Sequence, residues 1–180
     1  MDFKEAVESR RSIRKYTDQK VEREKIEEIV RLASFSPSWK NVQATSFVVV
    51  EDEEIKSNIA ADCVLGFEYN TKTMNRAAAL AIVTVKHGLS GFEKDGSFST
   101  SKEDRWEVFD AGIATQTFCL AAHEQGIGTC VLGIFDEAKV REVLGLSDDT
   151  VVAAIVTLGY AEKAPAMPPR KSVDELLTIV

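Results

Sequence analysis

The stretch Phe109-Asp-Ala-Gly-Ile-Ala-Thr-Gln-Thr-Phe-Cys-Leu-Ala-Ala122 lies within a helix expected over about Lys102 to Gln125, and it is apolar on most sides. A helix apolar nearly all round has to be buried. In a chain of 180 residues, two arrangements can do that: a central core helix or the interface of a dimer. Gly126 and Gly128 end the helix, Gly126 as a C-cap, and a strand Thr129–Leu132 follows.

The other elements arrange themselves around it. Asp2 caps a first helix with Phe3, Ala6 and Val7 at helical spacing, and a second helix spans about Glu22 to Ser34. Ser36-Pro37-Ser38 ends the second helix, because the residue before proline avoids the α region. Strands are expected at Ser46–Glu51, Ala79–Lys86 and Val151–Tyr160. Asp52 caps a helix to about Cys63, and Asp136 caps another to Leu144, stopped by Gly145. Between Cys63 and Ala79 the glycine at 66 and Asn70 read as a loop, and residues 87–104 as a long polar loop. Helices outweigh strands, and the expectation is one α+β domain over residues 1–180.

Charge excludes several functions. The net charge is −7 and the pI near 5.0, which speaks against a nucleic-acid binder or a protein held on an anionic membrane. The longest apolar runs reach about half the roughly 20 residues of a membrane span. The N-terminus is charged from residue 2 onward, unlike a signal peptide. Cys63, Cys119 and Cys130 are far apart and odd in number, which fits a reducing cytoplasm. Two histidines, His87 and His123, do not make a metal site.

Against that acidic background, Arg10, Arg11, Arg14 and Lys15 crowd into six positions with Ser12 among them. Arg10, Ser12 and Arg14 are spaced by two, so an extended chain puts them on one side. Two guanidinium groups and a hydroxyl suit a phosphate. A solvated surface paired with Glu5 or Glu8 suits the same residues, and spacing alone leaves both readings open. Arg170 and Lys171 form a second basic site, with a weak capping-box pattern at Ser172 and Glu175. Chain termini are often close in a compact domain, so one anion could use both sites. Ser36-Pro37-Ser38-Trp39-Lys40-Asn41-Val42-Gln43 is either an ordered loop or a binding loop, with amides suited to the edge of a heterocycle.

Two other motifs fail. Gly126-Ile-Gly128 through Gly133 is not a dinucleotide fingerprint, because a helix precedes the glycines and a strand follows them. No G-x-S-x-G elbow is present; His123 and Cys130 read as structural.

Taken in order, Arg10-Arg-Ser-Ile-Arg14-Lys-Tyr, Ser36-Pro-Ser-Trp-Lys-Asn41-Val-Gln43, Asp110-Ala-Gly-Ile-Ala-Thr-Gln116, Gly126-Ile-Gly-Thr129 and Arg170-Lys171 resemble the nitroreductase-like family of FMN oxidoreductases over essentially the whole chain. The resemblance implies a central mixed β-sheet flanked by helices, with the long buried helix at the interface of a homodimer. It implies FMN as cofactor, NADH or NADPH as reductant, and a ping-pong reduction of a small electron-poor acceptor such as a nitroaromatic or a quinone. Arg10, Ser12, Arg170 and Lys171 would lie at the phosphate, and Arg14 at the pyrimidine edge of the flavin; Arg11 counts among the cofactor-binding residues by its place in the motif, although an extended chain turns it and Lys15 to the solvated side. Asn70, Leu132 and Gly133 would lie beside the ring, while Pro37, Ser38, Trp39 and Asn41 would reach it from the partner subunit. No side chain acts as nucleophile, because the flavin carries the chemistry. Leu132 stands where several members carry an acid, and Thr73 where some carry a lysine. Reductive dehalogenation, flavin breakdown and non-catalytic flavin binding are the alternatives.

Overall fold

A computed structural model describes residues 1–180. Along the chain run α1 (Phe3–Ser9), α2 (Arg23–Ala33), a 3-10 turn (Trp39–Asn41), β1 (Thr45–Val50), α3 (Glu53–Asp62), α4 (Glu68–Arg76) and β2 (Ala79–Lys86). Then follow α5 (Arg105–Glu124), β3 (Gly128–Leu132), α6 (Glu137–Leu144), β4 (Thr150–Gly159) and α7 (Val173–Leu176). No helix is long and apolar enough to cross a membrane.

The strands line up as β1-β2-β4-β3, and every neighbouring pair is antiparallel. The mixed character expected of the sheet is confined, within this chain, to its edge. Its one parallel pairing is the isolated bridge between Ser12 and Thr129 at the β3 edge. The antiparallel pairing of β1 with β2 follows from α4, which occupies a stretch expected as a loop. With α3 alone between β1 and β2, the connection would be a parallel crossover; the second helix returns the chain to the end it left. The start of α4 carries no side-chain cap, and its buried residues are Asn70, Thr73 and Met74, so neither usual helix signal is strong.

Strand β2 is buried on both faces. Leu80 and Ile82 join a cluster with Ile59, Met74, Val140 and Ile155 under α3, α4 and α6. Ala81, Val83 and Val85 join the opposite cluster with Ile29, Phe118 and Ala122 under α2 and α5. The result is a three-layer arrangement, helices on both faces of one sheet. Helix α5 buries Ala111, Ala114, Phe118 and Ala122, yet Val108 and Phe109 are 52% and 56% exposed. The expected all-round burial is therefore met on one face only within the single chain. The helix ends as expected: Gly126 is left-handed, and the Ile127 N–H donates to Ala122 O at 2.8 Å.

The segment after α1 lies on the sheet edge, and side-chain fit holds it there. Ile13 and Tyr16 are buried, and the Ile13 N–H donates to Thr129 O at 2.8 Å. Beneath them Gly128 and Gly159 are direct register partners on β3 and β4. A Cβ on Gly128 would lie 2.7 Å from Ile13 Cγ1, and one on Gly159 2.7 Å from Tyr16 Cδ1. The glycine pair is thus a notch that admits both side chains. Tyr16 Oη donates to Ile13 O at 2.6 Å and meets Thr157 Oγ1 at 2.6 Å.

This fit predicts that Gly128→Ala and Gly159→Ala each lower stability by about 1–3 kcal/mol through overpacking. Gly133→Ala, where a Cβ meets nothing within 4 Å, is expected to change it by less than about 0.5 kcal/mol. Denaturant unfolding of the three variants checks this; equal effects would contradict it.

Candidate functional site

With Ile13 and Tyr16 turned inward, the polar residues of the N-terminal segment stay on the surface. Arg10, Arg11, Ser12 and Arg14 line a cavity of about 320 Å³ with Pro165, Pro168 and Arg170 from the C-terminal segment. The two basic sites of the sequence therefore do meet, across almost the whole chain. Lys171 does not line this cavity. No carboxylate pairs with Arg10, Arg11, Arg14 or Arg170; Glu8 faces Lys4 instead, and the other ion pairs lie elsewhere. The surface-pairing reading with Glu5 or Glu8 is thereby removed. Backbone carbonyls occupy part of the set: Arg11 Nη1 donates to Glu8 O at 2.7 Å and Arg10 O at 2.8 Å, Arg14 Nη1 to Ser12 O at 3.3 Å, and Arg170 Nη1 to Pro168 O and Pro169 O at 3.3 Å. Uncompensated guanidinium groups in a donor-only cluster are suited to an oxyanion.

Arg14 also lines a second, larger cavity of about 620 Å³. Its walls are Asn70 and Thr73 from α4, Cys130 and Leu132 from β3, and the following Gly133 and Ile134. The two cavities thus share Arg14, with a cationic end on one side and a largely apolar end on the other. Asn70 Nδ2 donates to Ile134 O at 3.0 Å, which ties α4 to the segment after β3. The Gly133 N–H donates to no acceptor in the chain. Asn70 sits on a helix and not in the loop expected for it. Phe67 and Tyr69 complete this wall, their rings 6.3 Å apart, and the sequence reading passed over both. The signal that could have found them is helical spacing, which sets Asn70 and Thr73 on one face of α4.

The loop Ser36–Gln43 lies apart. Pro37 and Ser38 line a cavity of about 360 Å³ with Gln43, Thr45 and Asp110, and it shares no residue with the arginine cleft. Trp39 packs on Trp106 with centroids 4.8 Å apart. Neither Trp39 nor Asn41 reaches the cleft of its own chain. Lys40, Asn41 and Gln43 all have left-handed backbone, with φ 44, 57 and 51. Each such residue costs about 1–2 kcal/mol when it is not glycine, so the loop is held under strain. Trp39 Nε1 and Thr45 Oγ1 are buried without a partner in the chain.

The profile of the nitroreductase family matches residues 7–160, which contain the arginine strand, the Ser36–Gln43 loop and all four strands. The chain belongs to the nitroreductase family. A protein of Archaeoglobus fulgidus, provisionally named NADH dehydrogenase/NAD(P)H nitroreductase, is 32% identical over 86% of this chain and 82% of its own length. The crystal structure of a nitroreductase family protein from Clostridium novyi NT is 29% identical and superposes with a TM-score of 0.79 over 90% of this chain and 88% of the other. A provisionally named nitroreductase from Exiguobacterium sibiricum, crystallised in complex with FMN, has the same fold with a TM-score of 0.87 at 21% identity, over 100% and 98% of the two chains.

In this nitroreductase-family chain burial favours the neutral forms of Cys130 and His123 near the cleft. Burial raises the Cys130 thiol, with Arg14 opposing it, so the sulfur is not a thiolate. Burial lowers His123, and the nearby Arg10 and Arg11 lower it further. Its Nε2 lies 2.7 Å from Ser9 Oγ.

The His123 shift has a defined sign. Its folded pKa lies below the unfolded value of 6.5, so the unfolded chain takes up the proton first as pH falls. The stability it contributes is present above 6.5 and is lost as pH falls through the folded value. Between about pH 7.5 and pH 5.5 the wild type is expected to lose more thermal stability than His123→Gln. Parallel melting curves for the two would contradict the assignment.

Proposed function

We propose that this chain is an FMN-dependent oxidoreductase that draws on NADH or NADPH and reduces electron-poor small molecules such as nitroaromatics or quinones. The observation that carries the reading is Arg14, shared by a cavity of unpaired arginines and a larger apolar cavity. That sequence of environments fits a molecule with an anionic tail and a flat heterocyclic head. The name of the Archaeoglobus relative and the FMN complex of the Exiguobacterium protein support the same choice.

The donor set fits FMN residue by residue. Arg10, Ser12 and Arg170 would hold the phosphate, with Arg11 contributing its remaining N–H groups. Lys171 belongs to this group only if the C-terminal segment shifts on binding. Arg14 would set positive charge at the pyrimidine edge, where it stabilises added negative charge. Asn70 would offer its free Oδ1 to the ring, Leu132 would cover it, and the free N–H of Gly133 would donate to it. FMN, when bound, supplies hydride transfer at N5. The chain's own contribution is orientation, exclusion of water and electrostatics.

The active form in this reading is a homodimer of the single domain 1–180. Val108 and Phe109 on α5 are open, and so are Leu176, Leu177, Ile179 and Val180 near the C-terminus. Exposed apolar side chains on a helix and on a terminal segment fit cover by a second copy. Pro37, Ser38, Trp39 and Asn41 lie outside their own cleft, and the partner's cleft is where they would serve. The unpaired cysteines fit a cytoplasmic setting. A second reading, reductive dehalogenation or flavin breakdown, draws on the ring end, where Leu132 and Thr73 leave no carboxylate and no lysine.

The purified protein is expected to be a yellow dimer that NADH or NADPH bleaches without oxygen, and nitro or quinone acceptors restore the colour. Protein that stays colourless with added FMN would contradict the reading, and a monomer by light scattering would remove the shared site. Arg10→Ala combined with Arg170→Ala is expected to lose FMN retention; an unchanged affinity would refute the phosphate assignment.

A further inference from the structure

Asp110 is a carboxylate only 3% exposed on α5. One of its oxygens, Oδ2, accepts from the Trp39 N–H at 2.9 Å and from Ser90 Oγ at 2.6 Å. Ser90 is itself fully buried. Two segments far apart in sequence, the Ser36–Gln43 loop and the 87–104 segment, therefore meet at one atom. Glu107, one turn earlier on α5, accepts from the Gly88 N–H at 2.8 Å and faces His87 Nδ1. It fixes the 87–104 segment alone. The third link, Lys40 to Glu93 at 3.0 Å, is an exposed ion pair, which holds little. Asp110 is thus the buried tie between the 87–104 segment and a loop whose Lys40, Asn41 and Gln43 are left-handed.

We propose that Asp110 is a positioning residue that acts across the dimer: by holding Trp39 N–H and Ser90 Oγ on one oxygen, it presents Pro37, Ser38 and Asn41 to the flavin site of the partner subunit. This rests on the FMN reading and on the dimer. Asp110 touches neither the arginine cleft nor the ring-end cavity of its own chain. Its loss is therefore felt by the partner's site and not by its own. Asn in its place keeps an oxygen that can accept both bonds, whereas Ala removes them.

The test uses trans-complementation. Homodimers of Asp110→Ala are expected to bind FMN about tenfold more weakly than wild type, and those of Asp110→Asn by about threefold or less. Co-expression of differently tagged Asp110→Ala and Arg10→Ala/Arg170→Ala subunits then gives a heterodimer. In it, the intact arginines of the first subunit meet the intact loop of the second. One FMN site per heterodimer with wild-type affinity is expected, although neither parent homodimer has one. A heterodimer without such a site, or an Asp110→Ala homodimer with wild-type affinity, overturns the proposal. Should Asp110→Ala fail to fold, the same pairing with Asp110→Ser, whose hydroxyl is too short to hold both donors, is read in its place, with Trp fluorescence reporting the Trp39 environment. A wild-type protein that is monomeric or takes up no FMN overturns the FMN reading itself, and the inference with it.

Discussion

The docking of Ile13 and Tyr16 over the facing Gly128 and Gly159 determines where every other polar residue of the N-terminal segment can go. Buried Ile13 and Tyr16 anchor the strand, and the hydrogen bonds of Tyr16 to Ile13 O and Thr157 Oγ1 fix its register. With those two side chains turned in, Arg10, Arg11, Ser12 and Arg14 are left facing the cleft. A single extra methyl group at either glycine collides with this anchor. The proposed anion site would therefore be held in place by apolar packing of the same segment.

Electrostatics explains why the cluster calls for a ligand. The chain is acidic by 7 charges, so nearby carboxylates are plentiful. Outside the cleft several lysines and arginines take an acid, as Arg23, Arg31 and Lys72 do. The four arginines of the cleft take none. An anion from outside would relieve their mutual repulsion, and at His123 Arg10 and Arg11 add to burial in lowering its proton affinity. On the far side of Arg14 the walls become apolar, with the Gly133 N–H as a directional donor. Arg14 thus lines two chemically different cavities, the two halves of the proposed elongated site.

Much of this was legible in the sequence for identifiable reasons. The strand Ala79–Lys86 and the ends of α6 were readable because β-branched runs, Asp136 and Gly145 are strong local signals. The spacing of Arg10, Ser12 and Arg14 gave their common side. What escaped was non-local. Gly128 read as a turn residue, because only the fold brings Ile13 onto it. Helix α4 was hidden by Gly66, by Asn70 and by an uncapped start, and with it went the antiparallel sheet and the ring-end wall of Phe67 and Tyr69. Asp110 was visible as part of a motif, but its hold on Trp39 and Ser90 exists only once three segments are folded together.

The central claim is that the arginine strand and Arg170 form one half of a site for a phosphorylated flavin. Calorimetric titration of the protein with FMN and with riboflavin, which differ only in the phosphate, tests it most directly. FMN is expected to bind at least about a hundredfold more tightly than riboflavin. Equal affinity for the two would contradict the account.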